Sequence, residues 1–407
     1  MAGHDARRPT ALRPRDFWRP CRWAGYYQHV PMLRAEVSPN LFRWARDRAG
    51  IPLAALMSRF SKLAEWESGA SKPTLKQLEA LAKATLTPVG YFFLPEPPVE
   101  RLPLPDFRTV SDTPLSRPSP NLLAMVYACQ ERQSWYREFA ATAGVEPCPF
   151  VGSATTSSPV VEVAERMRKT LNFDLDRRND SPTWTEALRD FIGQAEAAGV
   201  LVMCSGVVLN NNGRPLDPDE FRGFTIADAL APLVFINGAD TKAAQTFTLA
   251  HELVHLWIGQ SGVTDATIRQ VPSRQTERWC NQVAAEFLVP LAVLRADYQK
   301  SNQLDREVSR LTRRFKVSSL VILRRLHDAG FISKPFFAEA FDAELDRLRE
   351  RAKGSGGSFY LTQAVRASKR FTRALLASTL EGQTLFRDAM RLLGVSKVET
   401  LHSLSVE

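Results

Sequence analysis

The sequence predicts an α+β protein: a helical N-terminal domain, a central domain of helices around a small three-stranded sheet, and a helical C-terminal region. Three observations carry this. Apolar residues recur at helical spacing in residues 38–82, 246–259 and 277–288. Three short runs rich in β-branched and aromatic residues, 200–208, 221–227 and 233–236, are separated by turn-forming stretches at Asn210-Asn211-Asn212-Gly213 and at 228–232. Beyond Pro290 the pattern is again helical.

With 407 residues, 44% hydrophobic and 24% charged, the chain is long enough for two or three globular domains. No apolar run approaches the length of a membrane span, and the arginines at 7, 8, 13, 15 and 19 are not followed by the apolar segment of a signal peptide. The expected location is therefore the cytoplasm, with no membrane partner. Cys21, Cys129, Cys148, Cys204 and Cys280 are odd in number and lack CxxC spacing, as expected of reduced thiols. The net charge of +9 permits contact with nucleic acid. Residues 1–31 carry six arginines against Asp5 and Asp16 with no periodic pattern, and Met32 directly precedes the first organised segment. We therefore expect 1–31 to be disordered or a mis-assigned start, and Met32 to be the native start.

Residues 32–95 form the first domain. Ser38-Pro39 opens a helix that Gly50 ends, a short helix follows from Leu53, and Thr74 caps a helix on Leu75, Leu78 and Leu81. Residues 96–120 are a proline-rich linker, in which Leu102-Pro-Leu-Pro-Asp106-Phe107-Arg108-Thr109 is apolar enough to pack along a domain. The central domain is placed at 121–300, with helices at 127–143, 160–171 and 184–198 before the three strands. The strand at 221–227 is the expected sheet edge, suited to holding an extended peptide by main-chain hydrogen bonds, with Arg222 as a candidate substrate contact or a sheet-face salt bridge. A basic helical segment, 301–352, contains Arg306, Arg310, Arg313, Arg314, Lys316, Arg324 and Arg325, read as a solvated charged face or as a groove for an acidic partner or nucleic acid. Residues 353–407 are a helical tail of unknown role.

The chemistry concentrates in Thr246-Phe-Thr-Leu-Ala-His251-Glu252-Leu-Val-His255-Leu-Trp-Ile-Gly259. At 3.6 residues per turn His251 and His255 stand one above the other on one helix face, spaced to share one zinc ion. Glu252, rotated by about 100° from His251, is placed to act as general base toward a water. Leu249, Ala250, Leu253, Val254, Trp257 and Ile258 make the helix apolar on most sides, so these ionisable groups need partners. The plain alternative is a core helix with two hydrogen-bonded histidines. A catalytic zinc requires a third protein ligand. Glu277 and Glu286 lie about 900° apart on one helix and point to opposite sides. Arg278, Gln282 and Glu286 read as an outward polar stripe, and Glu277, Cys280, Asn281, Ala284 and Leu288 as the inward one, which favours Glu277. Asn281, one turn on, is placed to orient a ligating imidazole. Cys280 reads as a small buried residue. Tyr298, His327 and Tyr360 are candidates for stabilising an oxyanion.

Four blocks, Phe221-Arg-Gly-Phe224, Ala231-Pro-Leu-Val-Phe-Ile-Asn237, Phe247 through His255, and Glu277-x-x-Cys-Asn281-x-x-Ala-Ala-Glu-Phe-Leu-Val-Pro290, resemble in order the ImmA/IrrE metallo-endopeptidases of bacteria and phages. The resemblance covers roughly residues 195–295. It implies a gluzincin-type zincin domain with one Zn2+ per chain, Glu277 as third ligand, and a transcriptional repressor as the usual protein substrate. Ala64-Glu-Trp-Glu-Ser-Gly69 followed by Lys72-Pro-Thr74 resembles the Xre/Cro helix-turn-helix, shortened by about four residues between Leu56 and Glu67 on the part that reads base edges. Arg59 and Lys62 remain candidate phosphate contacts. The alternative is a DNA-binding transcriptional regulator or antitoxin-like protein with a non-catalytic metal site. Oligomeric state is not legible.

Overall fold

In the computed structural model, residues 34–106, 117–264, 275–300, 303–351, 366–397 and 400–401 are described. The expectations for residues 1–31, the start at Met32, Phe107 to Thr109 and Tyr360 fall outside them. Two compact units emerge, Met1–Pro98 and Val99–Glu407.

The first unit is helical: α1 (Pro39–Arg48), α2 (Leu53–Met57), α3 (Leu63–Ser68) and α4 (Leu75–Ala84), then a 3-10 turn at Val89–Phe93. Pro39 starts α1, and α3 ends at Gly69 in the left-handed conformation, φ 79°. Thr74 caps α4 through a capping box with Gln77. Leu41, Phe42, Leu63, Trp66, Leu78 and Phe92 make the core. At five and six residues, α2 and α3 are short. Arg59 and Lys62 lie exposed between them, and the Arg59 guanidinium sits 5.4 Å over the Phe60 ring.

The second unit begins with α5 (Pro120–Thr142), α6 (Val160–Leu171), α7 (Leu175–Asp180) and α8 (Trp184–Ala197). Strands β1 (Leu201–Ser205), β2 (Val207–Val208), β3 (Asn211–Pro215), β4 (Gly223–Ile226) and β5 (Leu233–Asn237) lead into α9 (Lys242–Trp257), followed by β6 (Gly262–Thr264) and α10 (Gln275–Leu288). Then come α11 (Leu291–Asp297), α12 (Leu304–Phe315), α13 (Ser319–Asp328), α14 (Lys334–Arg351), α15 (Lys369–Leu380) and α16 (Phe386–Leu393).

The main sheet has four strands in the order β1-β5-β4-β6, with β1 parallel to β5 and the other neighbours antiparallel; β2 and β3 form a separate hairpin. Two expectations are corrected here. The sheet has more than three strands, and 221–227 is not its edge, because β6 pairs outside β4. At three residues, Gly-Val-Thr, β6 is too short for alternation to reveal, and β3, Asn-Asn-Gly-Arg-Pro, has no β-branched or aromatic side chain to mark it.

Both faces of the sheet are covered, which explains why all of β5 is buried. Val202, Val234 and Ile236 join the core with α6, α8, α9 and α10. Leu201, Met203, Phe224, Leu233 and Phe235 point the other way, to α5, α15 and α16. The tail is thus part of the domain's core. Arg132 of α5, fully buried there, donates to the Leu392 carbonyl at 2.7 Å. Ser368, the cap of α15, donates to Glu196 of α8 at 2.5 Å. The apolar linker stretch also packs on this unit: Leu104 is buried, and the Val263 amide donates to the Pro105 carbonyl at 2.9 Å beside β6.

The basic residues of 301–352 do not form one solvated face. Arg310 pairs with Glu307 at 2.6 Å, Arg314 with Asp176 at 2.6 Å, and Arg325 is buried against Glu286. Asp176 and Glu286 are distant in sequence from the arginines they hold, whereas Glu307 lies one helical turn from Arg310.

Candidate metal centre

α9 is capped by Thr241, whose hydroxyl accepts the Ala244 amide, and from Gln245 to Trp257 every residue is buried. The helix lies against β4 and β5 on one side and α10 on the other. Glu277 enters from the first turn of α10. His251, His255 and Glu277 are at most 4% exposed. The His251 and His255 Nε2 atoms are 3.1 Å apart, Glu277 Oε2 is 3.1 Å from the first, and Glu277 Oε1 is 3.3 Å from the second.

That triangle fits a metal ion. Bonds of about 2.0–2.1 Å in tetrahedral geometry separate the ligand atoms by about 3.3 Å, close to all three distances. Two imidazole nitrogens facing one another at 3.1 Å cannot both present lone pairs without a proton or cation between them. The electrostatics agree. Burial works against charge on His251, but the Glu277 hydrogen bond and charge, then Glu252 and Asn281, raise its pKa overall. Burial would likewise raise that of Glu277, yet hydrogen bonds to both imidazoles hold its carboxylate well below the ordinary range. The pocket favours a positive charge between an anionic ligand and two nitrogens. Among the described residues this is the one group of three such side chains converging within 4.8 Å.

Glu252 is fully buried and turned toward the sheet. Thr225 Oγ1 lies 2.8 Å from its Oε2 and 2.9 Å from its backbone carbonyl, and the Thr264 hydroxyl donates to Oε1. Burial raises its pKa, opposed by His251, His255 and the two threonines. Neither threonine stands out in the sequence, since hydroxyl residues are ordinary in strands; their alternation with Phe224 and Val263 was the available signal.

The Asn281 side chain interacts with the His251 imidazole, and its Oδ1 is buried without a hydrogen-bond partner among the described residues. Cys280 is fully buried, and burial, then Glu277 and Glu252, push its thiol pKa well up. Glu286 faces away from the ligands, but the outward stripe is corrected at this position: the side chain is buried in an ion pair with Arg325. Arg222 pairs with Asp240 at 2.9 Å. The Tyr298 ring stacks on Phe331 at 4.0 Å, and His327 Nδ1 faces the Ile332 carbonyl at 3.2 Å.

Residues 195–327 match the Peptidase_M78 family, described as the IrrE N-terminal-like domain, a span that holds the whole four-stranded sheet and His251, His255 and Glu277. This match suggests a metallopeptidase. Residues 367–407 match a family described as a domain of unknown function (DUF8813). No curated protein matches the chain. Among the described residues, no helix is long and apolar enough to cross a membrane.

Proposed function

We propose that the chain is a zinc-dependent metallo-endopeptidase of the ImmA/IrrE type that cleaves a regulatory protein, with a transcriptional repressor as the substrate class carried over from the resemblance. The observation that carries this reading is the convergence of His251, His255 and Glu277 within 4.8 Å beside a separate buried carboxylate, Glu252.

The roles follow from the side chains. His251 and His255 offer neutral nitrogens and Glu277 an anionic oxygen, a donor set suited to zinc. When bound, zinc supplies Lewis-acid chemistry, polarising a peptide carbonyl and making a water acidic near neutral pH. Glu252 takes the proton from that water at a carboxylate oxygen and delivers it to the leaving amide nitrogen. Asn281 steadies the His251 ring.

The test is zinc content and cleavage of unfolded casein. The wild-type chain is expected to hold one zinc and cut casein, Glu277→Ala to lose the zinc, and Glu252→Gln to keep it and lose cleavage. Zinc retained by Glu277→Ala would overturn the ligand set. Zinc held with no Glu252-dependent cleavage would favour a regulator with a non-catalytic metal site.

A further inference from the structure

The Phe-Arg-Gly-Phe-Thr stretch at 221–225 has no role in the chemistry above, yet it lies against the proposed base. The strand register explains why. β4 and β6 are antiparallel, with Gly223 opposite Thr264 and Thr225 opposite Gly262. Along each strand the apolar residues, Phe224 and Ile226 on β4 and Val263 on β6, join the core beyond the sheet. Glycines and threonines are therefore left facing α9. Each threonine stands across from a glycine, so the ladder carries two hydroxyls on a diagonal with space at the other two corners.

The Glu252 carboxylate fills the corner at Gly223. Thr225 Oγ1 is 2.8 Å from Oε2, and Thr264 donates to Oε1. A methyl group at Gly223 would stand 2.9 Å from Glu252 Oε1, 2.9 Å from the Phe235 carbonyl and 2.7 Å from Thr248 Cγ2, too close for any residue but glycine. We propose that Gly223, Thr225 and Thr264 form a notch that positions Glu252, the threonines setting the carboxylate plane and the glycine giving it room. For catalysis this rests on the reading of Glu252 as the base. All three are positioning residues, acting through Glu252.

A carboxylate on a side chain with three rotatable bonds gains its orientation from such partners, and a misplacement of about 1 Å in a reacting group costs about 100-fold in rate. The glutamate helix and the sheet meet here, so the sheet sets the aim of a residue carried on α9.

The experiment compares the full-length zinc-loaded wild type with Thr225→Val/Thr264→Val, single Thr264→Val, and Thr225→Ser/Thr264→Ser. Crystal structures report the Glu252 rotamer without any need for activity. The double valine variant is expected to keep its zinc but show Glu252 rotated out of the notch or split between conformers. Its kcat on fluorescein-labelled casein should fall about 100-fold with KM little changed, and the serine pair should restore both orientation and rate. If the double variant does not fold, Thr264→Val carries the same comparison. Glu252 unmoved without the hydroxyls, or an unchanged kcat, would overturn the notch. If zinc-loaded wild type leaves casein uncut, the proteolytic reading fails, and the Glu252 orientation alone decides the notch.

Discussion

Arg325 of α13 reaches across to α10 and ion-pairs with Glu286 in the interior, while its Nε donates to the Val289 carbonyl at 2.9 Å. The two glutamates of one helix thus have opposite duties, Glu277 toward the ligand cluster and Glu286 toward the layer that holds α10 in place. Removing Glu286 leaves the buried Arg325 with only the partly exposed Asp328, 3.5 Å away, so Glu286→Ala is expected to lower unfolding free energy, by at most about 3–5 kcal/mol. Urea titration of the metal-free proteins checks this, with Glu277→Ala as the milder comparison.

Metal removal should separate the same two residues. A ligand that binds only the folded state raises stability in proportion to the logarithm of its excess over Kd. A chelator is therefore expected to lower the wild-type Tm and to leave that of Glu277→Ala unchanged. Scanning calorimetry with and without chelator makes the comparison.

These contrasts mark how far the sequence was legible. Helical period was enough to align His251 with His255 and to turn Glu277 inward, because those geometries lie within single helices. The burial of Glu286 was not legible, since its partner is 39 residues away on another helix and nothing local distinguishes it from a surface carboxylate. β6 was missed because three residues carry no period, and with it the true sheet edge. The tail's place on the sheet was also hidden: residues 353–407 read only as a helical tail, and only tertiary structure shows what the apolar faces of α15 and α16 meet.

Glu196 gives a pH signature away from the ligand cluster. Burial raises its pKa, with hydrogen bonds from Ser368 and the Arg370 amide opposing only in part. A carboxyl with a raised folded-state pKa binds more protons folded than unfolded. Its penalty is absent below the unfolded pKa and grows as pH rises through the folded one. Glu196→Gln should therefore gain stability relative to wild type as pH rises from below the unfolded carboxyl range to neutrality. Denaturant midpoints of both proteins at pH 4 and pH 7 check the sign.

Thiol reactivity should follow burial. Cys129 and Cys280 are fully buried and Cys148 and Cys204 are both partly exposed, but desolvation pushes the Cys204 thiol to about 11, as it pushes Cys129 to about 12, while the Cys148 thiol is raised by its partial burial. Iodoacetamide at neutral pH is expected to modify only Cys148 of these four in the folded protein, and slowly, and all four after denaturation. Mass mapping of the alkylated peptides reads the result.

The hydrogen bond from Arg132 to the Leu392 carbonyl joins residues 260 apart in the chain. Synthesis runs from one end, at about 5–20 residues per second, so β1, β5 and α9 leave the ribosome well before α15 and α16 exist. Until those helices arrive, Leu201, Met203 and Phe235 have only part of their cover, that given by α5, and the far side of the sheet that carries the Glu252 notch is only partly closed. A nascent chain stalled before residue 367 therefore carries His251, His255 and Glu277 and the α5 part of the layer that backs the sheet, but not the part that α15 and α16 supply.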